Sequence, residues 1–335
     1  MGPTIKHLTN QETQNTLAAN RPLLKIQMAK QRQTATFLRQ RFFEVGINPV
    51  TRLGQNFLID LNLVELLVRS AELGPKDVVL EVGTGTGSLT GMMAETAAHV
   101  VTVELDPQMH QLASEELIDN TNVTLLRQDI LRNKNNLADN VIETLQERLA
   151  EVDGGIFKLA ANLPYSIATP LISNLLLTPI VPELMVVTIQ KELADRIVAK
   201  PQTKDYGSLS VWVQSLCDAE IVRIMPPSVF WPQPKVDSAI IAIRPRDEKR
   251  AAIPDVKMFQ TFVRSMFFHR RKFLRSVMIA AFKNQLEKPN IDAIMGRMEL
   301  GPDSRSEQIS VERMFALYEC CREELRSVGK LESTG

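Results

Sequence analysis

Short continuous apolar runs alternate, between residues 57 and 190, with stretches in which apolar positions recur every three or four residues. Runs of the first kind predict buried strands, and stretches of the second kind predict helices. The predicted strands are Val78–Val82, His99–Glu104, Val123–Gln128, Phe157–Ala161 and Leu184–Ile189. The predicted helices are a first one from Phe57 to the Gly74-Pro75 pair, Ser88–Ala98, Pro107–Leu117, Leu137–Leu149 and Thr169–Leu177. This alternation indicates an α/β protein with a mostly parallel sheet covered on both faces.

Two later strand-like runs and a helical segment complete the pattern. A proline-rich loop joins Ala219–Met225 to Ser238–Arg244, which fits a hairpin that closes the edge of the sheet. Beyond about residue 250 the apolar spacing is helical, in Met258–Phe268, Phe273–Phe282, Ile291–Met298 and Val311–Leu325. A chain of 335 residues is long enough for two compact domains. We therefore expect a basic N-terminal arm over residues 1–48, an α/β domain over residues 49–249 and a small all-helical domain over residues 250–335.

The composition is that of an ordinary globular protein, with 44% hydrophobic and 23% charged residues. No window approaches the roughly 18 unbroken apolar residues of a membrane helix, and the polar N-terminus has no apolar signal-peptide core. The three cysteines show no CxxC spacing, which is typical of reduced thiols in the cytosol. With only four histidines, the chain has few candidates for a histidine-based metal site or catalytic triad. We expect a cytoplasmic protein that binds neither a metal nor a membrane.

Charge is balanced over the whole chain but uneven along it. Residues 1–52 hold eight Lys and Arg against two Glu, and Arg264–Arg275 holds five basic residues and no acidic one. Local concentrations of this kind favour binding to a polyanion. The alternative is a solvated helix face and a polar tail. Within the arm, a short amphipathic stretch around Phe37–Phe43 indicates either a flexible segment or a helix that docks late.

A glycine-rich segment follows the first predicted strand of the sheet. Residues 79–89 run as Val-Leu-Glu-Val-Gly-Thr-Gly-Thr-Gly-Ser-Leu, from strand through loop into helix. Glycines allow a tight bend and let a ligand touch the main chain at the helix N-terminus. Gly83, Gly85 and Gly87 do not complete a GxGxxG pattern, because Ser88 fills its last position. The loop by itself fits either a dinucleotide or an adenosyl ligand.

Acidic residues end the next two strands. Glu104 stands about twenty residues after the loop, where an acid can hold the two hydroxyls of a ribose. Asp129 follows the third strand, where it can accept a hydrogen bond from an adenine amino group. Either carboxylate alone is equally well explained as a helix cap. Both together, at consecutive strand ends after a glycine loop, favour a cofactor that carries a nucleoside.

The sequence Asn162-Leu163-Pro164-Tyr165 follows the fourth strand, at the edge of the sheet where ligands of open α/β proteins bind. An adenine N6 amine is a poor nucleophile because its lone pair is delocalised into the ring. The side-chain oxygen of Asn162 and the main-chain oxygen of Leu163 can accept its two hydrogens and localise that lone pair. Pro164 fixes the loop, and Tyr165 offers a ring on which an unstacked base can lie. The alternative is a plain turn with a buried tyrosine.

Further motifs stand in order along residues 50–328: Leu53-Gly54-Gln55-Asn56-Phe57-Leu58, Gln190-Lys191-Glu192, Tyr206-Gly207-Ser208-Leu209-Ser210 and Pro234-Lys235-Val236-Asp237-Ser238-Ala239. With them the chain resembles the ribosomal RNA adenine N6,N6-dimethyltransferases, and in particular their small-subunit branch. The resemblance implies a Rossmann-like class I methyltransferase domain with a small helical C-terminal domain, and S-adenosyl-L-methionine as cofactor. It also implies a monomer that dimethylates two adjacent adenines near the 3′ end of 16S rRNA, within an assembling 30S-type subunit.

Carried over position by position, the resemblance implies roles for individual residues. The cofactor contacts would be Asn56, Leu58, Gly83, Gly85, Glu104, Asp129 and Asn162. The catalytic set would be Asn162, Leu163, Pro164 and Tyr165. Tyr165 would also frame the target adenine, and Phe230 resembles an aromatic residue that closes the pocket. The basic stretch that faces rRNA would be Arg270, Arg271 and Lys272.

Three features depart from the family pattern. The N-terminal arm is longer than in typical bacterial members, Trp231 stands where a smaller polar residue is usual, and residues 133–155 are somewhat long. A nicotinamide-dependent oxidoreductase shares the glycine loop but leaves residues 162–165 unexplained. A non-catalytic ribosome-assembly protein leaves the intact Asn162 and Tyr165 unexplained. A sister methyltransferase that acts on large-subunit rRNA is disfavoured by the motifs at residues 206–210 and 234–239.

Overall fold

A computed structural model of the protein describes residues 35–44, 55–269 and 271–331. The strands are β1 Phe57–Leu58, β2 Asp77–Val82, β3 His99–Glu104, β4 Val123–Arg127, β5 Leu131–Asn133, β6 Asn136–Leu137, β7 Ile156–Asn162, β8 Leu184–Gln190, β9 Cys217–Met225, β10 Phe230–Trp231 and β11 Ser238–Pro245. The helices are α1 Ala35–Glu44, α2 Leu61–Ser70, α3 Ser88–Ala94, α4 Pro107–Glu116, α5 Asp139–Ala150, α6 Ala168–Leu175, α7 Lys191–Val198, α8 Ser208–Gln214, α9 Asp247–Ala251, α10 Val256–Met266, α11 Leu274–Ala281, α12 Lys288–Arg297 and α13 Val311–Ser327. Every strand predicted from the sequence is confirmed to within two residues.

Within the described ranges, seven strands form one sheet in the order β4-β3-β2-β7-β8-β11-β9. The first five run parallel to one another, and β11 is antiparallel to both β8 and β9. The predicted mostly parallel sheet and its closing hairpin are therefore confirmed. β11 is the inner strand of the hairpin, so Ser238 lies opposite Gln190 at the carboxyl end of β8.

The helix that precedes β2 begins later than its apolar pattern predicts. A carboxylate oxygen of Asp60 accepts a hydrogen bond from the main-chain N–H of Asn62 over 2.9 Å, which caps α2 and makes Leu61 its first residue. Phe57 and Leu58 instead form β1, which pairs with β10. The predicted helical start at Phe57 is wrong because a capping aspartate follows these two residues. Helix α3 likewise ends at residue 94, before the predicted end at residue 98.

The two faces of the sheet contribute to separate apolar cores. Successive side chains of a strand point to opposite faces, so Val79 lies in one core and Leu80 in the other. The core that contains Leu80 continues without a break into helices α10 to α13. Across that junction the hydroxyl of Tyr206 donates to the main-chain oxygen of Ile309 over 2.8 Å. The four predicted C-terminal helices are confirmed, while their assignment to a separate domain stays a prediction.

Two helices between β8 and β9, α7 and α8, are not predicted from the sequence. Both are short, at eight and seven residues. No helix in the described part of the chain is long and apolar enough to cross a membrane. Nor do those residues include a group of three or more His, Cys, Asp or Glu side chains that could hold a metal ion. The cytoplasmic location, the monomeric state and the lack of a metal stay predictions.

Candidate active site

Four of the predicted site segments meet at one edge of the sheet. β4, β3, β2 and β7 are parallel neighbours, so their carboxyl ends lie side by side. Gly83 follows β2, Glu104 ends β3, Asp129 follows β4 and Asn162 ends β7. A cavity at this edge is lined by residues of β1, the glycine loop and β7, among them Phe57, Leu58, Gly83, Gly85 and Asn162. The glycine loop and Asn162, the first residue of the Asn-Leu-Pro-Tyr segment, thus line one cavity.

Gly83 and Gly85 meet requirements of both conformation and space. Their φ angles are +85° and +56°, in the left-handed region that favours glycine. A Cβ atom on Gly83 would lie 3.2 Å from Cδ of Pro164, and one on Gly85 would lie 3.2 Å from Cε1 of Phe57. The loop is therefore held between the Asn-Leu-Pro-Tyr segment on one side and β1 on the other.

The carboxylate of Glu104 joins the glycine loop to β3. One of its oxygens accepts from the N–H of Gly85 over 3.0 Å, and the other accepts from the N–H of Asp106 over 2.9 Å. Burial raises the pKa of Glu104, while these two main-chain bonds act in the opposite direction. Because each carboxylate oxygen can accept more than one hydrogen bond, the group fits the predicted contact with ribose hydroxyls.

Asp129 lies at the outer end of this row of residues, beyond the edge strand β4. It is exposed, and its Oδ1 atom accepts from the N–H of Leu131 over 2.8 Å. One oxygen therefore holds a local turn, as the alternative interpretation of this residue expects. The contact of Asp129 with an adenine amino group stays a prediction.

The side-chain amide of Asn162 is oriented by the residue before β1. Its Nδ2 atom donates to the main-chain oxygen of Asn56 over 2.9 Å. Since an amide carries its nitrogen and its oxygen on opposite sides, Oδ1 is the acceptor on the side away from Asn56. The next residue, Leu163, donates its N–H to the main-chain oxygen of Thr188 over 3.2 Å. Both residues that are predicted to accept hydrogens from an adenine amine are thus fixed by bonds to neighbouring strands or segments.

Tyr165 is held by a residue of β11. Its hydroxyl lies 2.6 Å from Oγ of Ser238, which is buried at the start of that strand. Burial raises the pKa of Tyr165, so the phenol stays protonated at neutral pH. The ring is half-buried and oriented by this bond, which suits a role as a surface for stacking rather than as a base.

Phe230 lies in β10 opposite Leu58 of β1. Its side chain is buried in the core that also contains Leu58 and Val64. The neighbouring Trp231 is half-buried and lies opposite Phe57. In this structure Phe230 packs in the same core as Leu58, and its predicted contact with the target adenine stays a prediction.

The basic loop between α10 and α11 presents its side chains to solvent. Arg271 and Lys272 are exposed, whereas Arg270 lies outside the described residues. Phe268 is 80% exposed, and the centroid of its ring lies 4.8 Å from that of His269 in an edge-to-face arrangement. A surface that combines cations with an exposed aromatic ring suits single-stranded nucleic acid.

The sequence profile of the family described as ribosomal RNA adenine dimethylase matches residues 47–317. The chain belongs to this family. Among its relatives is a protein of Streptococcus sanguinis named ribosomal RNA small subunit methyltransferase A, 39% identical over 272 residues that cover 81% of this chain and 91% of the relative. A protein of the same name from Caldanaerobacter subterraneus is 37% identical over 265 residues, which cover 79% and 94% of the two chains. The resemblance inferred from the motifs is confirmed.

Two solved structures resemble this chain. The dimethyladenosine transferase from Plasmodium falciparum has a TM-score of 0.65 and 21% identity, and covers 79% of this chain and 97% of its own. The 23S rRNA methyltransferase ErmE has a TM-score of 0.56 and 25% identity, and covers 79% and 99%. The first shows a shared fold, and the two together confirm the predicted class I methyltransferase architecture.

Glu81 lines the same cavity, although the motifs alone did not assign it a role. It is buried in β2, and its Oε2 atom accepts from the hydroxyls of Thr90 over 2.5 Å and Thr102 over 2.7 Å. The Thr102 hydroxyl also lies 2.6 Å from that of Thr84 in the glycine loop. Burial raises the pKa of Glu81 to about 8. The signal in the sequence is an acid flanked by the apolar residues Leu80 and Val82 within a strand, since such a group needs hydrogen-bond partners when buried.

The segment before and within β1 is a second part of the site that the motifs described incompletely. Gln55 donates from Nε2 to a carboxylate oxygen of Asp106 over 3.0 Å. Residues 55–57 therefore contact this edge of the sheet at three points. Gln55 and Asn56 form hydrogen bonds with Asp106 and Asn162. Phe57 packs against Gly85. Such contacts span distant parts of the chain, so the sequence carries no local signal for them.

Proposed function

We propose that this chain uses S-adenosyl-L-methionine to dimethylate the N6 amines of two adjacent adenines near the 3′ end of small-subunit rRNA, within an assembling 30S-type subunit. Membership of the family and the names of the relatives support the reaction and the RNA. The observation that carries the chemistry is the placement of Asn162 at the cavity of Gly83 and Gly85, with Pro164 against Gly83. We place this activity in a cytoplasmic monomer.

The residues at the edge of the sheet fit an adenosyl cofactor. Gly83 and Gly85 let the main chain approach a ligand closely. Glu104 would hold the ribose hydroxyls and Asp129 the adenine amino group. The bound cofactor supplies a methyl group on a positively charged sulfur. The remaining predicted contacts, which would enclose the site from the side of β1, are Asn56 and Leu58.

Asn162 and Leu163 prepare the adenine amine. The side-chain oxygen of the first and the main-chain oxygen of the second accept the two N6 hydrogens, which localises the nitrogen lone pair and fixes its direction. This lone pair would form the new nitrogen–carbon bond as the bond from that carbon to sulfur breaks, with its electron pair left on the sulfur. The surplus proton would then leave to water. Asn162 therefore acts as an acceptor and not as a general base. In the second round one N6 hydrogen remains, and one acceptor suffices.

Tyr165 and the basic loop would bind the RNA. The Tyr165 ring, oriented by Ser238, offers a face for the target adenine after it has left its stack. Arg271 and Lys272 are exposed and would contact phosphates. Tyr165 would therefore contact the target base, and the basic loop would contact the RNA backbone around it.

Transfer of a labelled methyl group to small subunits that lack the modification, followed by nucleoside analysis, tests the proposal. The expected product is labelled N6,N6-dimethyladenosine in small-subunit rRNA. Unmodified large-subunit rRNA is the matched control, because the chain also shares its fold with ErmE at a TM-score of 0.56. Label in the large-subunit RNA alone, or in neither RNA, would contradict the proposal.

A further inference from the structure

Helix α1 of the N-terminal arm is docked beside the cofactor edge. Leu38 and Phe42, one turn apart on the same face, are 2% and 1% exposed. They form an apolar cluster with Met109 and Leu112 of α4. This helix follows β3, the strand that ends in Glu104. The neighbouring Phe43 is 87% exposed. Of the side chains described in this helix, those of Leu38 and Phe42 are buried.

The ring of Phe42 contacts two further rings that belong to the small ribbon of β1 and β10. Its centroid lies 5.3 Å from that of Phe57 at an interplanar angle of 79°, and 5.4 Å from that of Trp231 at 55°. The rings of Phe57 and Trp231 are 6.4 Å apart and nearly parallel, at 27°. Arg39 adds a cation 5.8 Å above the Trp231 ring. We call Phe42, Phe57 and Trp231 the aromatic clasp.

Phe57 connects the aromatic clasp to the cofactor cavity. Its ring touches the glycine loop, since its Cε1 lies 3.2 Å from the position of a Cβ on Gly85, and it lines the cavity together with Leu58. On the other strand of the ribbon, β10, Trp231 follows Phe230, the residue predicted to approach the target adenine. The clasp thus includes one residue of β1, the strand that lines the cofactor cavity, and one residue of β10, the strand that contains Phe230.

We infer that Phe42 is a positioning residue for the cofactor: it holds the Phe57 ring against the glycine loop without itself lining the cavity. This inference rests on the proposed use of S-adenosyl-L-methionine at that edge. Aromatic pairs at these separations attract each other beyond the burial of their surfaces, so the loss of one ring loosens the position of the other. Residues 35–44 then serve the cofactor site, in addition to any phosphate contacts of the arm.

Three variants of the full chain test this inference: Phe42→Ala, Phe42→Leu and Phe43→Ala. The affinity for S-adenosylhomocysteine, measured by calorimetry without RNA, should fall about tenfold in Phe42→Ala, as the loss of two ring pairs predicts. Phe42→Leu keeps an apolar contact with α4 but lacks the ring, so its affinity should be intermediate. Phe43→Ala is the matched control, and its affinity should equal that of the wild type because Phe43 is exposed.

Kinetics distinguish positioning from a general loss of structure. Phe42→Ala should raise the KM for S-adenosyl-L-methionine, while kcat at saturating cofactor and the KM for small subunits stay close to the wild-type values. Thermal unfolding shows whether Phe42→Ala is folded. If it is not, the affinity of Phe42→Leu is compared with that of Phe43→Ala. Equal affinities in the folded Phe42 variants and in Phe43→Ala would overturn the inference. A wild-type protein that does not bind S-adenosylhomocysteine would instead overturn the proposed function.

Discussion

A single hydrogen bond of 2.9 Å, from Nδ2 of Asn162 to the main-chain oxygen of Asn56, joins residues that are 106 positions apart. It makes the orientation of the proposed catalytic amide depend on the segment that also lines the cofactor cavity. The acceptor for the target amine and one wall of the cofactor site are therefore set by the same contact. Coupling of this kind keeps the two reacting groups in a fixed relation.

Asn162→Ala removes the acceptor for the adenine amine together with this bond. Methyl transfer to unmethylated small subunits should fall by about 100-fold or more, as is typical when one preorganised polar group is lost from a reacting centre. The free energy of unfolding should change by only about 1 kcal/mol, because one part-buried hydrogen bond is lost. Turnover at the wild-type rate in a folded Asn162→Ala protein would remove the proposed mechanism of amine activation.

Two substitutions at Tyr165 separate its ring from its hydroxyl. Tyr165→Phe loses the 2.6 Å bond to Ser238 but keeps the ring, so kcat/KM should fall only about two- to tenfold, the effect of one hydrogen bond. Tyr165→Ala also removes the stacking surface and should lose a further factor of about five or more. Steady-state rates on small subunits check this order. Equal losses in the two variants would assign the function to the hydroxyl.

Much of the sheet and of the cofactor edge could be predicted because the signals are local. β2 and β8 are almost entirely buried, and a strand covered on both faces must be apolar at successive positions. The glycines at 83 and 85 adopt conformations that other residues rarely reach, so their presence marks the loop directly. Glu104 and Asn162 could be identified because strand ends in such a sheet meet at one edge.

Contacts between distant segments could not be predicted. Leu38 and Phe42 belong to a short amphipathic stretch, but nothing near them in the sequence indicates that α4 covers them. The partners of Glu81 lie 9 and 21 residues away, on a helix and on a neighbouring strand. The hydrogen bond between Tyr165 and Ser238 depends on β11 being the inner strand of its hairpin, which an apolar pattern shared by both strands does not determine.

The buried Glu81 should make folding stability depend on pH. Its pKa in the folded protein is about 8, against 4.5 for the unconstrained group, so the folded state keeps a proton that the unfolded state releases. The contribution of Glu81 is therefore fully present below pH 4.5 and is lost as pH rises towards 8. Glu81→Gln keeps the shape of the side chain but cannot ionise. Denaturant unfolding at several pH values should show the variant gaining stability relative to the wild type as pH rises; parallel profiles would contradict the assignment.

The basic loop predicts two distinguishable effects on RNA binding. Arg271→Ala combined with Lys272→Ala should reduce the salt dependence of binding, because each phosphate contact contributes about 0.7 to 0.9 to the slope of log affinity against log salt.

Phe268→Ala should lower the affinity by about fivefold or more at every salt concentration without changing that slope, since stacking releases no counterions. Ile118→Ala is the matched control, because Ile118 is another exposed apolar residue outside the loop. Salt titrations of binding to small-subunit RNA compare these three variants with the wild type. An unchanged slope in the double variant would mean that Arg271 and Lys272 form only a solvated face, and an unchanged affinity in Phe268→Ala would mean that its exposed ring makes no contact with a base.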